Sequence, residues 1–235
     1  MPCTLPASLA DAAVCRGSFH AVLGGEVEDT AFADFSAALQ KAQAEGRILT
    51  ASLFRYENHL FFYAEGLNRP FTPQGLCPAL DAALLPWPPA LGEAEPRPWA
   101  AMQPYFYHDV PTTAADWQQG RCPQRRRGRI ALLPPDSWCS YMEHHLRIVT
   151  EGLVEGDRWH LICVQEGVLF SYLEEPRTNV NIRHQPGAHS PELDAWIAAD
   201  PESHFARFTP EQKATRTAAT TLYFCPALRE RRNEP

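Results

Sequence analysis

Residues 134 to 148 read PPDSWCSYMEHHLRI and set Tyr141 and His145 four positions apart, in what the pattern predicts as the opening turns of a helix. Four positions make one helical turn, so a phenolic hydroxyl and an imidazole share a face. The pair suits proton transfer. An imidazole with an unperturbed pKa of about 6.5 takes or gives a proton near neutrality, and a tyrosine hydroxyl can hold or polarise a hydroxyl group of a ligand. The same spacing also describes two residues that border a core with their polar ends wet. Pro134 and Pro135 close the preceding strand, and Asp136 or Ser137 is suited to cap a helix that begins near Trp138. Met142, Leu146, Val149 and Leu153 follow at spacings of 4, 3 and 4, which predicts the stripe that lies against a sheet. Tyr141 and His145 then sit at the margin of that stripe, where a pocket between helix and sheet could open, and His144 lies a further residue round toward the opposite side.

Other chemistries find weaker footing. His144, His145, His160, His184, His189 and His204, with Glu143 or Glu174, invite a metal reading, but there is no HxxxH pair on a helix face and no HxH on a strand, and His184 and His189 fall in a predicted loop. No metal and no cofactor are expected. Cys163 stands three residues after His160 on a predicted strand, so the two point to opposite faces and make no dyad. Neither GxGxxG nor GxxxxGK[ST] occurs. The seven cysteines form no CxxC pair, and an odd, dispersed set suggests reduced thiols in a cytoplasm. A formal charge of −7 gives no overall attraction to nucleic acid or to an anionic membrane. The opening MPCTLPASLADAAVCRG has no basic n-region and no long apolar run, which argues against a signal peptide, although AAVC faintly resembles a lipoprotein cleavage site. No run approaches the length of a transmembrane helix.

The elements that would position Tyr141 and His145 are legible through an internal likeness. HLFFYAEG at 59 to 66 resembles VLFSYLEE at 168 to 175, an offset of 168 − 59 = 109 positions. Each follows a strand-like run, ILTASLFRY or RWHLICVQEG, and makes a predicted hairpin with it. A short strand (SFHAVL or RIALL) and a helix precede each hairpin, and a Pro-rich stretch, a helix and a last strand (PYFYHDV or TTLYFC) follow it. Both halves thus read strand, helix, strand, strand, helix, strand. That order is the split βαβ arrangement of ferredoxin-like folds, an antiparallel sheet with helices on one face. The expected class is α+β: two duplicated ferredoxin-like halves packed face to face as a dimeric α/β barrel completed within one chain, with a higher oligomer possible. The expected bounds are an extension at 1–17, a first half at 18–110, a linker at 111–127, a second half at 128–226 and a tail at 227–235. Arg125, Arg126 and Arg127 read as part of a solvated linker.

The helix around His145 resembles that of the L-rhamnose mutarotase family, in which Pro, Asp, a small residue, three variable positions, Tyr, three more and His follow the first strand. Here the pattern stands without a gap as Pro135, Asp136, Ser137, Tyr141 and His145. The hairpin LICVQEGVLFSYLE is similar to the family's second and third strands and sets His160 where the family has a substrate-binding tyrosine. AWIAADPE at 195 to 202 is similar to the segment after the hairpin. The resemblance spans Arg129 to Phe224 and implies a dimeric α/β barrel that interconverts the anomers of a deoxysugar without a cofactor. It implies His145 as the acid or base, with Tyr141, His160, Trp159 and Phe205 binding a monosaccharide-like ligand.

The departures are specific. The family's Ile-Trp-Pro-Glu after its histidine is replaced by Ile148, Val149, Thr150 and Glu151, and its Trp pair is missing, with Phe205 and Phe208 the nearest aromatics. Sugars stack on aromatic rings, so the identity of the sugar does not carry over. In the first half the 109 offset places Phe32, Ser36 and Ala51 where the second has Tyr141, His145 and His160. One site per chain is therefore expected, with Phe32, Phe35, Leu39 and Ala42 a plain core stripe. The alternatives are a non-catalytic barrel that binds a small ligand, or a cofactor-free monooxygenase or lactone isomerase of the same superfamily.

Overall fold

The structure, a computed structural model, describes residues 6–177, 183–210, 213 and 220–223, the last four as backbone only. The expected tail at 227–235 lies outside them. The described residues form two compact units: unit 1 takes 6–102 and 111–122, with Tyr223, and unit 2 takes 103–110 and those described between 123 and 222. Each unit is α+β and follows the strand, helix, strand, strand, helix, strand order of a ferredoxin-like half.

Unit 1 contains β1 (Val14–Val22), α1 (Asp29–Ala44), β2 (Ile48–Tyr56), β3 (His59–Leu67), the short α2 (Pro78–Ala82) and the first part of β4 (Ala100–Phe106). Its strands are antiparallel in the order β4-β1-β3-β2. The β2–β3 hairpin turns at Glu57, whose φ of 53° is the left-handed conformation that tight hairpin turns require. On α1 the expected stripe of Phe32, Phe35, Leu39 and Ala42 is buried against Leu53, Leu60, Phe62, Ala64 and Trp99. The stretch that reads as a polar linker is partly built into this unit. Residues Ala114–Gln118 form α3, capped by the Thr113 hydroxyl, which accepts from the Asp116 amide at 3.2 Å. Trp117 is fully buried there.

Unit 2 takes the rest of β4, then β5 (Arg125–Leu132), α4 (Pro135–Glu151), β6 (Val154–Glu155), β7 (Leu161–Gln165), β8 (Val168–Glu175), β9 (Arg183–His184), α5 (Pro191–Ala198) and β10 (Thr220–Tyr223). The order is β10-β5-β8-β7-β4, with β6 and β9 paired separately. β5 opens four residues earlier than the apolar run RIALL suggests. Arg126 and Arg127 are therefore strand residues: they face Glu174 and Leu173 in register, and the Arg127 guanidinium reaches Glu175 at 3.0 Å. Cross-strand ion pairs carry a basic segment that its charge alone marks as solvated.

β4 is divided. Ala100, Ala101 and Met102 pair with β1, whereas Gln103, Pro104 and Phe106 pair with β7, and the register shifts between Pro104 and Phe106. The sequence PYFYHDV thus serves unit 2 from position 104 on, and does not close the first half as its order along the chain implies. The bulge has a consequence for side chains. Neighbours on a regular strand point to opposite faces, but an irregularity re-aims one of them, and both Tyr105 and Phe106 join the core cluster of unit 2.

Candidate functional site

The site-bearing helix begins at Pro135, a position where the missing N–H costs nothing, and Pro134 occupies the cap position in extended conformation. No side chain caps it. Asp136 stands inside the first turn, so the expected cap by Asp136 or Ser137 is displaced because the helix starts earlier than Trp138. Negative charge there still favours the helix N-terminus. Gly152, with φ 67°, ends the helix in the left-handed conformation that glycine adopts without a Cβ clash.

The buried face of α4 is not the stripe of highest hydrophobicity. Tyr141, His145 and Ile148 are buried, Met142 and Val149 are half-buried, and Leu146 is 61% exposed. The expected core stripe is thus rotated by one residue, and Tyr141 and His145 lie at its centre and not at its margin. What the sheet and the next helices present to α4 decides this. The His145 ring meets Phe106 at 4.8 Å between centroids, Tyr105 at 5.5 Å, Trp196 at 4.6 Å and Tyr141 at 4.3 Å. These are edge-to-face or tilted contacts, the arrangement aromatic quadrupoles favour. Trp196 comes from α5, whose N-terminus is capped by the Ser190 hydroxyl accepting from the Leu193 amide at 3.0 Å. A 3₁₀ turn at Pro201–His204 then brings His204 to 5.8 Å and Phe205 to 5.2 Å from Tyr141.

Electrostatics follow from this burial. His145 Nδ1 lies 2.9 Å from the Tyr141 carbonyl, and since a carbonyl only accepts, Nδ1 carries the proton and Nε2 keeps its lone pair. Among the described residues Nε2 has no hydrogen-bond partner. Desolvation is the main reason that the His145 pKa falls to about 4; the carbonyl bond opposes the fall, and nearby His144, His204 and His108 add to it. The ring is neutral at neutral pH. Burial also raises Tyr141 to about 12 and Tyr105 well above the usual tyrosine value, so both phenols keep their protons. Their hydroxyls are close enough to perturb each other, yet the Tyr105 hydroxyl lacks an aligned partner among the described residues. His144 Nδ1, His204 Nδ1 and His108 Nε2 are likewise buried without a partner. Folded proteins leave few such atoms, and here several fall in one neighbourhood.

Tyr141, His145 and Phe205 are thus brought together. His160 stands at the edge of the group, 5.9 Å from Phe106 and just before β7, which begins at Leu161 and not at Arg158. Trp159 occupies the turn before it, half-buried. Tyr105, Phe106 and Trp196 were not singled out by spacing, and His204 was named only among the histidines weighed as metal ligands. Trp196 lies within AWIAADPE and shares the aromatic signal that marks sugar sites, but Tyr105 and Phe106 are hidden by the split of β4. Among the described residues no group of three or more His, Cys, Asp or Glu side chains is arranged to hold a metal ion. His184 and His189, expected in a loop, both approach Asp194, at 3.4 and 2.9 Å, with His184 on β9. A groove of about 580 Å³ on unit 1 is lined by Lys41, Arg47, Arg69 and Phe71 among others and contains no residue of the cluster around His145.

No family model matches the chain, and no curated protein sequence does. Solved structures similar to it include a proposed monooxygenase from Fusobacterium nucleatum, at 7% identity and a TM-score of 0.38 over 91% of this chain and 92% of that one. An anthrone oxidase-like protein follows at 6% identity and a TM-score of 0.39, covering 90% and 93%. A proposed chlorite dismutase shows 8% identity and a TM-score of 0.37, covering 92% and 96%. None is a sugar mutarotase. Among the described residues no helix is long and apolar enough to cross a membrane.

Proposed function

We propose that unit 2 holds a small-molecule site in which His145 and the two tyrosine hydroxyls move protons on a monosaccharide and so interconvert its anomers. One observation carries the reading: His145 and Tyr141, the pair of the ungapped Pro-Asp-Ser-x₃-Tyr-x₃-His motif, are the buried centre of α4, beside polar atoms that have no partner among the described residues. In such a reaction the anomeric hydroxyl gives up its proton to a base while the bond between the anomeric carbon and the ring oxygen breaks and the ring oxygen is protonated. Closure on the other face reverses both transfers. Protons balance and no electrons are exchanged. Neutral His145 Nε2 is the acceptor, and Tyr141 or Tyr105 is the hydroxyl donor. Each proton-transfer group contributes a factor of ~10²–10⁴, enough for a reaction that already proceeds unaided. Rings of Trp196, Phe205 and Tyr105 supply surfaces on which a sugar's apolar face stacks.

The depth of His145 favours a second reading. A base with a pKa of about 4 is a weak match for a sugar hydroxyl, and a pocket that only binds its ligand would need no proton transfer at all. Saturation-transfer NMR over a panel of free sugars separates the two readings, because it sees anomer exchange directly. His145→Ala should abolish acceleration of exchange while the fold persists by circular dichroism. Acceleration of no sugar, or full activity in His145→Ala, would sink the catalytic reading.

A further inference from the structure

Arg129 stands on β5 directly opposite Ser171 of β8. Two residues on, Ala131 packs in the core with Tyr141 and Ile148, and the two-residue period of a strand puts Arg129 on that same face. It is half-buried, and it lies close enough to Tyr141 that each alters the other's ionisation. Its neighbours in the sequence and in the unit are matched with carboxylates: Arg126 with Glu174, Arg127 with Glu175, Arg158 with Asp109, Arg177 with Asp157 and Arg207 with Glu202. The Arg129 side chain has neither a hydrogen bond nor an ion pair among the described residues. Glu202 is near enough to be felt, but it is 3.7 Å from Arg207 and makes no bond to Arg129. A guanidinium withdrawn from water without a partner is costly, and an arriving anion offsets that cost.

We propose that the ligand of this site is an acidic sugar, a uronic acid, whose carboxylate is gripped by Arg129 while the anomeric centre faces His145. The inference rests on the sugar reading of the His145 site and adds the substrate's charge to it. The chemistry of the ligand supports the placement. In a uronic acid the carboxylate-bearing carbon and the anomeric carbon both flank the ring oxygen, so the two recognised groups lie on one edge of the ring. In the protein Arg129 and His145 are both neighbours of Tyr141. A planar guanidinium matches a carboxylate in two parallel hydrogen bonds. Glu202 and a single unpaired cation disfavour a dianionic phosphate.

Titration of the purified full chain with glucuronate, galacturonate, glucose and glucose 6-phosphate, followed by saturation-transfer difference NMR, tests this. At least one uronate should bind about tenfold or more tightly than glucose, a margin of about 1.4 kcal/mol. Its affinity should fall as salt is raised. Arg129→Gln should erase the preference and Arg129→Lys should keep part of it, with circular dichroism reporting the fold of both. Equal binding of glucose and the uronates, binding of neither, tighter binding of glucose 6-phosphate, or an unchanged preference in Arg129→Gln would overturn the proposal. The two readings fail separately. A uronate held through Arg129 whose anomers exchange no faster defeats catalysis and leaves the acidic ligand in place. Accelerated exchange of neutral sugars without preference for acids does the reverse.

Discussion

β3 of unit 1 and β8 of unit 2 carry the same local design, and the helices packed over them do not. Tyr63 donates to Glu65 at 2.6 Å, and 109 positions later Tyr172 donates to Glu174 at 2.6 Å. Around Glu65 the network is complete: Arg121 grips both oxygens at 2.7 and 3.1 Å, the Trp117 indole donates at 3.0 Å and Arg16 donates to the Tyr63 hydroxyl at 3.0 Å. Glu174 has the Arg126 Nε at 3.7 Å, from a side chain that is 18% exposed where Arg121 is 3% exposed. On the helices, Phe32 and Ser36 of α1 occupy the positions of Tyr141 and His145. The repeated strands hold a common frame, and the two units differ in the residues that one helix presents to its sheet.

Breaking the shared motif should give the largest effect, and an unequal one. Burial pushes the Glu65 carboxyl up, but Arg121, Tyr63 and Arg16 together outweigh it and hold the group below its usual value. Glu65→Gln leaves the Arg121 guanidinium, 3% exposed, without its charge partner, and should cost about 3–5 kcal/mol in denaturant melts. Glu174→Gln should cost less, about 1–2 kcal/mol, because Arg126 is 18% exposed and water can take up part of the lost interaction. Equal losses would mean that the two units rely on the motif alike. A lowered carboxyl contributes stability that is present above its unfolded pKa and is lost as pH falls through the folded one. Glu65 should therefore add to acid unfolding in wild type and not in Glu65→Gln.

A second test uses the group that unit 1 lacks. His145 has a folded pKa of about 4 against about 6.5 unfolded, so the unfolded state binds the proton more readily between those values. Its contribution to stability is intact above about pH 6.5, declines as pH falls through that window and levels off below about 4, a total on the order of 3 kcal/mol. Denaturant melts of wild type from pH 7 to 4 should show this decline, and His145→Asn should flatten it. An unchanged slope in the variant would mean that the imidazole is not held neutral. Smaller again is Tyr141→Phe, which should leave stability within about 1 kcal/mol and remove a substantial part of any acceleration of anomer exchange.

The order of elements was legible because hairpins announce themselves locally, by alternation and by a turn, and the 109-residue likeness doubled the signal. The face of α4 was harder to read. Hydrophobicity ranks Leu146 and Met142 above Tyr141 and His145, but burial is decided by what lies opposite, and here it is Phe106, Tyr105 and Trp196. That information is not local to residues 134 to 148. Tyr105 and Phe106 were concealed by the division of β4, which no pattern within PYFYHDV marks except Pro104, a residue without an N–H to give to a ladder. Arg129 reads in sequence as one of several basic residues near a strand start. Only the partners of the others make it stand apart.

The smallest expected effect falls at Ser36, the counterpart of His145. It is 9% exposed on α1, between Phe35 and Leu39 of an apolar stripe, and its hydroxyl does not titrate near neutrality. Removing it deletes one oxygen and leaves the packing of Phe32, Phe35 and Leu39 intact, so Ser36→Ala should shift stability by less than about 1 kcal/mol in either direction. Because unit 1 offers neither an imidazole nor a phenol at these positions, the same change should leave ligand affinity and anomer exchange at wild-type values. The readout is paired: saturation-transfer NMR on Ser36→Ala and His145→Ala, side by side with the same sugar. If Ser36→Ala lost activity to the extent of His145→Ala without unfolding, unit 1 would have to take part in the reaction, and the division between a framing unit and a reacting unit would fall.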